Sequence, residues 1–323
     1  MQPLAGQLVT DLTRYLPGAF ASRELLRLGA RVVRLEPPDG DPMRQVAPAW
    51  DAALNAGKES VACDLKADPA FARALLARTD IVLEGFRPGV AARLGVGPDD
   101  APERAVYCSI TGFGTGGRHE RRAGHDVNYA GWAGMLADTA PALPPLQPAD
   151  LAAGALAATV EILAALLERE RSGHGARLTI SMTHGSHRLV SFRAGGDPLP
   201  RFLTGGLASY AIYETADGRH LTVGALEPKF FVRLCELLGR PELAERQFAA
   251  DGQTALAAEL AAAFRLRPLA EWLELFERED VCVGPVATLA EAAAEFGDAA
   301  APAPAAAVGA HTAAWREELG LLV

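Results

Sequence analysis

Over the first 125 residues, short apolar runs alternate with segments whose apolar positions recur at helical spacing. Residues 8–12 read as a strand. Pro17-Gly18 then opens a helix that runs to about Leu28, where Gly29 stops it. Residues 30–35 form the next predicted strand, closed by Pro37-Pro38, and further strands are expected at 60–65, 80–86 and 105–111 with helices between them. Short strands alternating with helices imply βαβ units and a mostly parallel sheet.

From Val127 the pattern turns helical, and residues 151–171 form the longest predicted helix. Ser172-Gly173-His174-Gly175 stops it, and 176–182 reads as a last buried strand. Gly195-Gly196-Asp197-Pro198 and Gly205-Gly206 mark a linker by their turn chemistry. Residues 209–215 and 219–226 then flank Ala216-Asp217-Gly218, a hairpin signal. Helices are expected at 227–238 and 269–279, so 205–285 reads as a second lobe of antiparallel strands and helices. Residues 299–307 contain only alanine and proline and are expected to be an extended connector.

Composition narrows the class. A chain of 323 residues is long for one small core, which agrees with two unequal lobes. Half of it is hydrophobic, a fraction that excludes a disordered chain. The apolar stretch 151–167 is broken by Gly154 and Glu161, and no segment offers the roughly 20 uninterrupted apolar residues of a membrane span. The start shows no basic patch followed by an apolar block, so a cytoplasmic protein without a membrane partner is expected. Cys63, Cys108, Cys235 and Cys282 share no metal or redox spacing and are expected to be reduced core residues. The net charge of -9 argues against a nucleic-acid partner. Residues 1–125 carry 16 Lys+Arg against 15 Asp+Glu, however, so a polyanionic ligand would find positive potential more easily there than in the acidic remainder.

Three groups of residues bear on chemistry. Gly112-Phe113-Gly114-Thr115-Gly116-Gly117 follows a strand, yet its spacing is not the dinucleotide fingerprint and a basic polar segment follows it. His184 and His187 are three apart without a third ligand nearby, the pattern of an ordinary polar helix face rather than a metal site. Gly124-His125-Asp126 places a histidine at the junction from strand-rich to helical sequence, either as a surface residue or as a ring presented to a cleft for proton transfer. Asp150 after Pro148, and Glu227 before Pro228, read equally as N-caps or as site carboxylates.

Read together, these residues resemble a known family. Asp11, Leu16-Pro17-Gly18, Leu28-Gly29-Ala30 and Val32-Val33-Arg34-Leu35-Glu36-Pro37-Pro38 resemble the start of the family III CoA-transferases and their α-methylacyl-CoA racemase branch. The similarity continues through Asn55-Ala56-Gly57-Lys58, Phe86-Arg87-Pro88-Gly89-Val90, Gly124-His125-Asp126, Asp150, Glu227 and Asp280-Val281-Cys282. It runs in family order over nearly the whole chain.

The resemblance implies an enzyme that inverts the α-carbon of 2-methylacyl-CoA thioesters by proton transfer through an enolate. Transfer of CoA between carboxylic acids and silent CoA binding are the alternatives. It assigns His125 and Asp150 as the two proton-transfer groups, with Asp126 and Glu227 as a second polar pair able to tune His125. In the transferase branch an aspartate near Asp150 carries the acyl group, and the histidine is generally missing. Arg34, Lys58 and Arg87 are implied as CoA-binding residues. No cofactor and no metal are implied, because a thioester acidifies its own α-C–H, and backbone N–H groups at a helix start would stabilise the enolate.

The implied fold is α/β: a Rossmann-like large domain over 1–204, a smaller α+β domain over 205–285, a return to the large domain over 286–323, and an interlocked homodimer. The chain departs from the family pattern at Ala56, where an arginine is usual, at Arg118, where proline is common, and at Arg27, where aspartate is frequent. It is also short between Met182 and Gly205.

Overall fold

The apolar runs of the N-terminal part assemble into one sheet, in a computed structural model that describes residues 2–196, 201, 203–297 and 304–321. Its strands are β1 (Leu8–Asp11), β2 (Arg31–Glu36), β3 (Glu59–Ala62), β4 (Ile81–Glu84), β5 (Val106–Thr111) and β6 (Arg177–Ser181). They lie in the order β3-β2-β1-β4-β5-β6, and every neighbouring pair is parallel. This is the Rossmann-like α/β arrangement that the sequence implies. Strand order reverses between β1 and β4, where the loops leaving the carboxyl ends diverge and open a crevice.

Both faces are covered, which is why β4 is apolar at three successive positions instead of alternating. On one face Val9, Val32 and Leu83 join a core with Leu25 and Ile162. On the other Val33, Val61 and Val82 join Phe71, Leu75 and Trp315. Helix Tyr15–Arg27 follows β1. Helix Pro69–Leu76 starts where its signals place it, with Pro69 in the first turn and the Asp68 carboxylate accepting the Phe71 N–H at 3.1 Å.

The helix Ala149–Ser172 has the length and composition of a membrane span, and the sheet accounts for its apolar face: Ala155, Ala158, Ile162 and Leu166 are buried in the first core. Its first two turns, Ala149–Leu156, are π-helical and the rest is α-helical. Helix Met182–Val190 packs against those turns so closely that a Cβ on Gly185 would stand 2.8 Å from Ala153.

At the β3 edge the end of the chain returns. The Ser60 N–H donates to His311 Nδ1 at 3.1 Å and the Ala62 N–H to Thr312 Oγ1 at 2.9 Å, while buried Trp315 donates its indole N–H to Glu59. Residues 1–194 and 302–323 thus form one unit and 195–301 another.

In the second unit, β7 (Tyr210–Glu214) and β8 (His220–Gly224) pair antiparallel across the Asp217-Gly218 turn. Gly218 takes φ 74° there, a conformation that favours glycine. A third strand, β9 (Val283–Pro285), completes the sheet. Helices Pro228–Leu237, Gln253–Phe264 and Leu269–Phe276 bury Phe231, Leu234, Phe264 and Trp272 against it. Asp197 and Pro198 of the expected linker, and residues 299–303 of the Ala-Pro connector, lie outside the described residues. One cysteine departs from expectation: Cys63, Cys108 and Cys235 are buried, whereas Cys282 is exposed at φ 51°.

Candidate active site

The crevice at the switch point holds a cavity of about 520 Å³. Its walls come from the segments after β1 (Thr13 to Gly18) and after β4 (Gly85 to Pro88) and from the end of β5 with the turn that follows it (Ile110 to Phe113), closed by 122–125, Tyr129, Asp150 and Met182.

Asp11, at the end of β1, shapes the first wall. Its carboxylate accepts the Thr13 N–H at 2.9 Å and the Ser22 hydroxyl, folding the chain back onto the start of helix Tyr15–Arg27. The fold-back is tight enough that a Cβ on Gly18 would lie 2.0 Å from Thr13 Oγ1, which requires glycine. Tyr15 pays in backbone strain for the same turn: its φ is 65°, rare for a bulky residue. Its N–H is held by Asp41 Oδ2 at 3.2 Å. The other end of the cavity is organised by Tyr129, whose ring wedges between Gly112 and Gly124 and whose hydroxyl donates to the Gly124 carbonyl. The Gly112 position thus serves side-chain packing.

His125 and Asp150 both line this cavity. His125 immediately precedes helix Asp126–Trp132, its N–H held by Asn128 Oδ1 at 3.0 Å. The imidazole is exposed and makes no hydrogen bond to a described residue. Asp126, by contrast, is buried, and its Oδ1 accepts the backbone N–H of Asp150 at 2.9 Å. The expected contact of Asp126 with the His125 ring is replaced by this one, because the first helical turn directs its side chain inward to the π-helical turns. Asp150 sits inside that first π-helical turn with no capping hydrogen bond, so the N-cap reading fails. Burial, reinforced by the Asp126 charge, pushes its carboxyl up to about 7.

Arg87 lines the same cavity, whereas Arg34 and Lys58 do not. Arg34 is 3 % exposed and engages Asp51 at 2.8 Å and Asp41 at 3.2 Å, with Glu36 also close. Lys58 directs its ammonium to the Ala19 carbonyl, Ser22 Oγ and Asn55 Oδ1 at 2.7–2.8 Å, with Asp11 at 3.8 Å. Burial pulls its pKa down to about 8 against the opposing pull of Asp11.

Glu227 belongs to the second unit. It is exposed and precedes helix Pro228–Leu237 without a side-chain cap, on a strand end fixed by Gln247, which donates to the Ala225 and Leu226 carbonyls at 3.0 and 2.9 Å. His184 and His187 have separate partners, Ser181 Oγ at 2.7 Å and the Ala133 carbonyl at 3.1 Å. Tyr15, Gly18 and Tyr129 are cavity residues to which the sequence reading gave no role in the site. An aromatic beside a helix-opening proline and glycine was the available signal for the first.

The comparisons with known proteins agree with this architecture. Residues 4–301 match the family model described as CoA-transferase family III. The chain is 36% identical to the α-methylacyl-CoA racemase of Mus musculus over 310 residues, covering 90% of this chain and 79% of the relative. It is 33% identical to a probable fatty acyl-CoA transferase of Mycobacterium tuberculosis, covering 85% of this chain and 80% of that one. Among solved structures, a CAIB/BAIF family protein from Brucella suis superposes with a TM-score of 0.84 at 26% identity, over 98% of this chain and 99% of the other.

Proposed function

Because the chain belongs to CoA-transferase family III, we propose that it is an acyl-CoA racemase, exchanging the α-proton of a 2-methylacyl-CoA and inverting that carbon. One observation carries this reading: a histidine and a carboxyl pushed up to about 7 line one cavity at the switch point of a Rossmann-like sheet. A base works best when its pKa lies near the working pH, and inversion needs two of them, one removing the α-proton and the other returning it on the opposite face. Asp150 near neutrality can do either, and the unpartnered imidazole of His125 is free to do the same.

The negative charge that forms on the thioester oxygen needs donors already in place. The N–H groups of Asp126 and Val127, in the first turn after His125, bond to no described residue and are the donors we assign to it. Asp126 holds Asp150 in place through its backbone and keeps its proton affinity high. Arg87 contacts the CoA moiety, and we assign Arg34 and Lys58 to the frame behind the cavity wall. The active form is proposed as a homodimer, which exposed Val160, Leu167 and Phe192 support.

The deciding experiment is incubation of a single epimer of a 2-methylacyl-CoA in deuterium oxide. Deuterium at the α-carbon together with the other epimer is expected. An intact α-proton alongside CoA moving to an added carboxylate would establish transfer, and CoA binding with neither outcome would establish a silent binder.

A further inference from the structure

The imidazole of His125 bonds to no described residue, so the ring stands where its backbone puts it. Both peptide groups that flank it are held by the helix that follows. The His125 N–H donates to Asn128 Oδ1 at 3.0 Å, and the His125 carbonyl accepts the Asn128 N–H at 2.8 Å and the Tyr129 N–H at 3.2 Å. One residue further back, the Gly124 carbonyl accepts the Tyr129 hydroxyl. Tyr129 thus grips the chain on both sides of His125, through its backbone on one and its side chain on the other.

That side chain has a fixed seat. The ring is buried and lies edge-on to Phe113, 5.2 Å between centroids, and a Cβ on Gly112 or on Gly124 would stand 2.4 or 2.7 Å from it. The Gly112 carbonyl accepts the Thr183 hydroxyl at 2.7 Å and the Thr183 N–H at 3.0 Å. Thr183 belongs to helix Met182–Val190, which packs on the π-helical turns that carry Asp150. The seat of Tyr129 therefore shares a frame with the second base. Asp150 has a strut of its own in Asp126, which does not pass through Tyr129. The two bases are fixed by separate contacts, and the Tyr129 hydroxyl serves one of them.

We propose that Tyr129 is a positioning residue for His125: by holding the Gly124 carbonyl, its hydroxyl sets where the imidazole stands relative to the substrate α-carbon. This rests on the racemase reading above. Proton transfer is steeply sensitive to placement, and a shift of about 1 Å can cost about a hundredfold in rate. Loss of the hydroxyl should therefore impair one face of the reaction and spare the other.

The test is Tyr129→Phe, which keeps the ring and removes only the hydroxyl. Exchange of the α-proton is measured by mass in deuterium oxide for each epimer of a 2-methylacyl-CoA, beside the imidazole NMR signal of His125, identified by its absence in His125→Ala. The epimer that His125→Ala no longer exchanges is the one whose proton faces His125. In Tyr129→Phe, exchange from that epimer is expected to fall about tenfold or more and exchange from the other to stay within about twofold, with KM unchanged and the His125 signal displaced. Gly112→Ala keeps the hydroxyl but pushes the ring from the opposite side, and it should repeat the one-sided loss. An equal loss for both epimers in Tyr129→Phe, or no loss, overturns the proposal, as does an unmoved His125 signal. Wild type that exchanges neither epimer would remove the racemase reading, and a displaced His125 signal in Tyr129→Phe would then leave the positioning role standing.

Discussion

Asp126 Oδ1 accepts the backbone N–H of Asp150 at 2.9 Å, joining two carboxylate residues that are 24 positions apart. The contact fixes the start of the π-helical turns and at the same time sets a negative charge beside the Asp150 carboxyl.

Asp126→Asn keeps a carbonyl oxygen for that N–H and removes the charge. The inflection attributed to Asp150 in the pH dependence of kcat/KM, expected near 7, should therefore move down, yet stay above an ordinary carboxylate because burial, the larger cause, remains. Asp126→Ala loses the acceptor as well and should also lower kcat. An inflection unmoved in Asp126→Asn would mean that Asp150 does not feel this neighbour.

Stability reports on the same carboxyl independently of turnover. Its folded-state pKa lies above its unfolded value, so the folded chain holds the proton longer, and this group's contribution to stability should fall as pH rises from about 4 to about 7. Asp150→Asn cannot ionise. Its melting temperature should exceed that of wild type at pH 8 and match it near pH 4, whereas loss of a helix cap would lower it at both.

His125→Ala and Asp150→Asn should each abolish racemisation while retaining hydrogen exchange from opposite epimers, since each leaves one base facing one side of the α-carbon. Exchange measured by mass in deuterium oxide checks this. Equal residual exchange from both epimers in both variants would overturn the two-base assignment.

Arg34 and Arg87 should behave differently. Arg34→Met strands Asp41 and Asp51 without their main cation and should cost about 3–5 kcal/mol in denaturant unfolding. Arg87→Ala should leave the unfolding midpoint unchanged and raise KM more than it lowers kcat. Lys58 adds a pH signature: its folded pKa of about 8 lies below its ordinary 10.5, so stability should rise over that interval, and Lys58→Met should lack the rise.

Tyr15→Gly relieves a left-handed backbone conformation that costs about 1–3 kcal/mol, against about 0.5–1 kcal/mol for the added chain entropy of glycine. A melting temperature at or above wild type with reduced activity is expected, since the ring leaves the cavity wall. Reduced stability would show that the ring's packing outweighs the strain.

The parallel sheet was legible because β1, β2, β4 and β5 each carry a run of apolar residues between turn signals. Strand β9 was not, since Val283-Gly284-Pro285 has two residues that ordinarily break strands. The site was legible residue by residue, and its wiring was not. Arg34 and Glu36 lie in a strand whose buried neighbours Val32, Val33 and Leu35 mark it as interior, a hint that its charges need internal partners. Those partners, Asp41 and Asp51, arrive from a loop and a helix whose direction no local pattern specifies. The π-helical turns likewise depend on how closely Gly185 lets a later helix approach Ala153.

The return of the chain to β3 has a practical side. An outer strand of a sheet is adhesive, because its free N–H groups will bond to any extended peptide that comes within reach. Here imidazole and hydroxyl side chains, from His311 and Thr312, occupy those groups in place of another strand. Deleting the chain from residue 305 onward would therefore do more than shed a tail: it would bare a sticky ribbon on the larger unit.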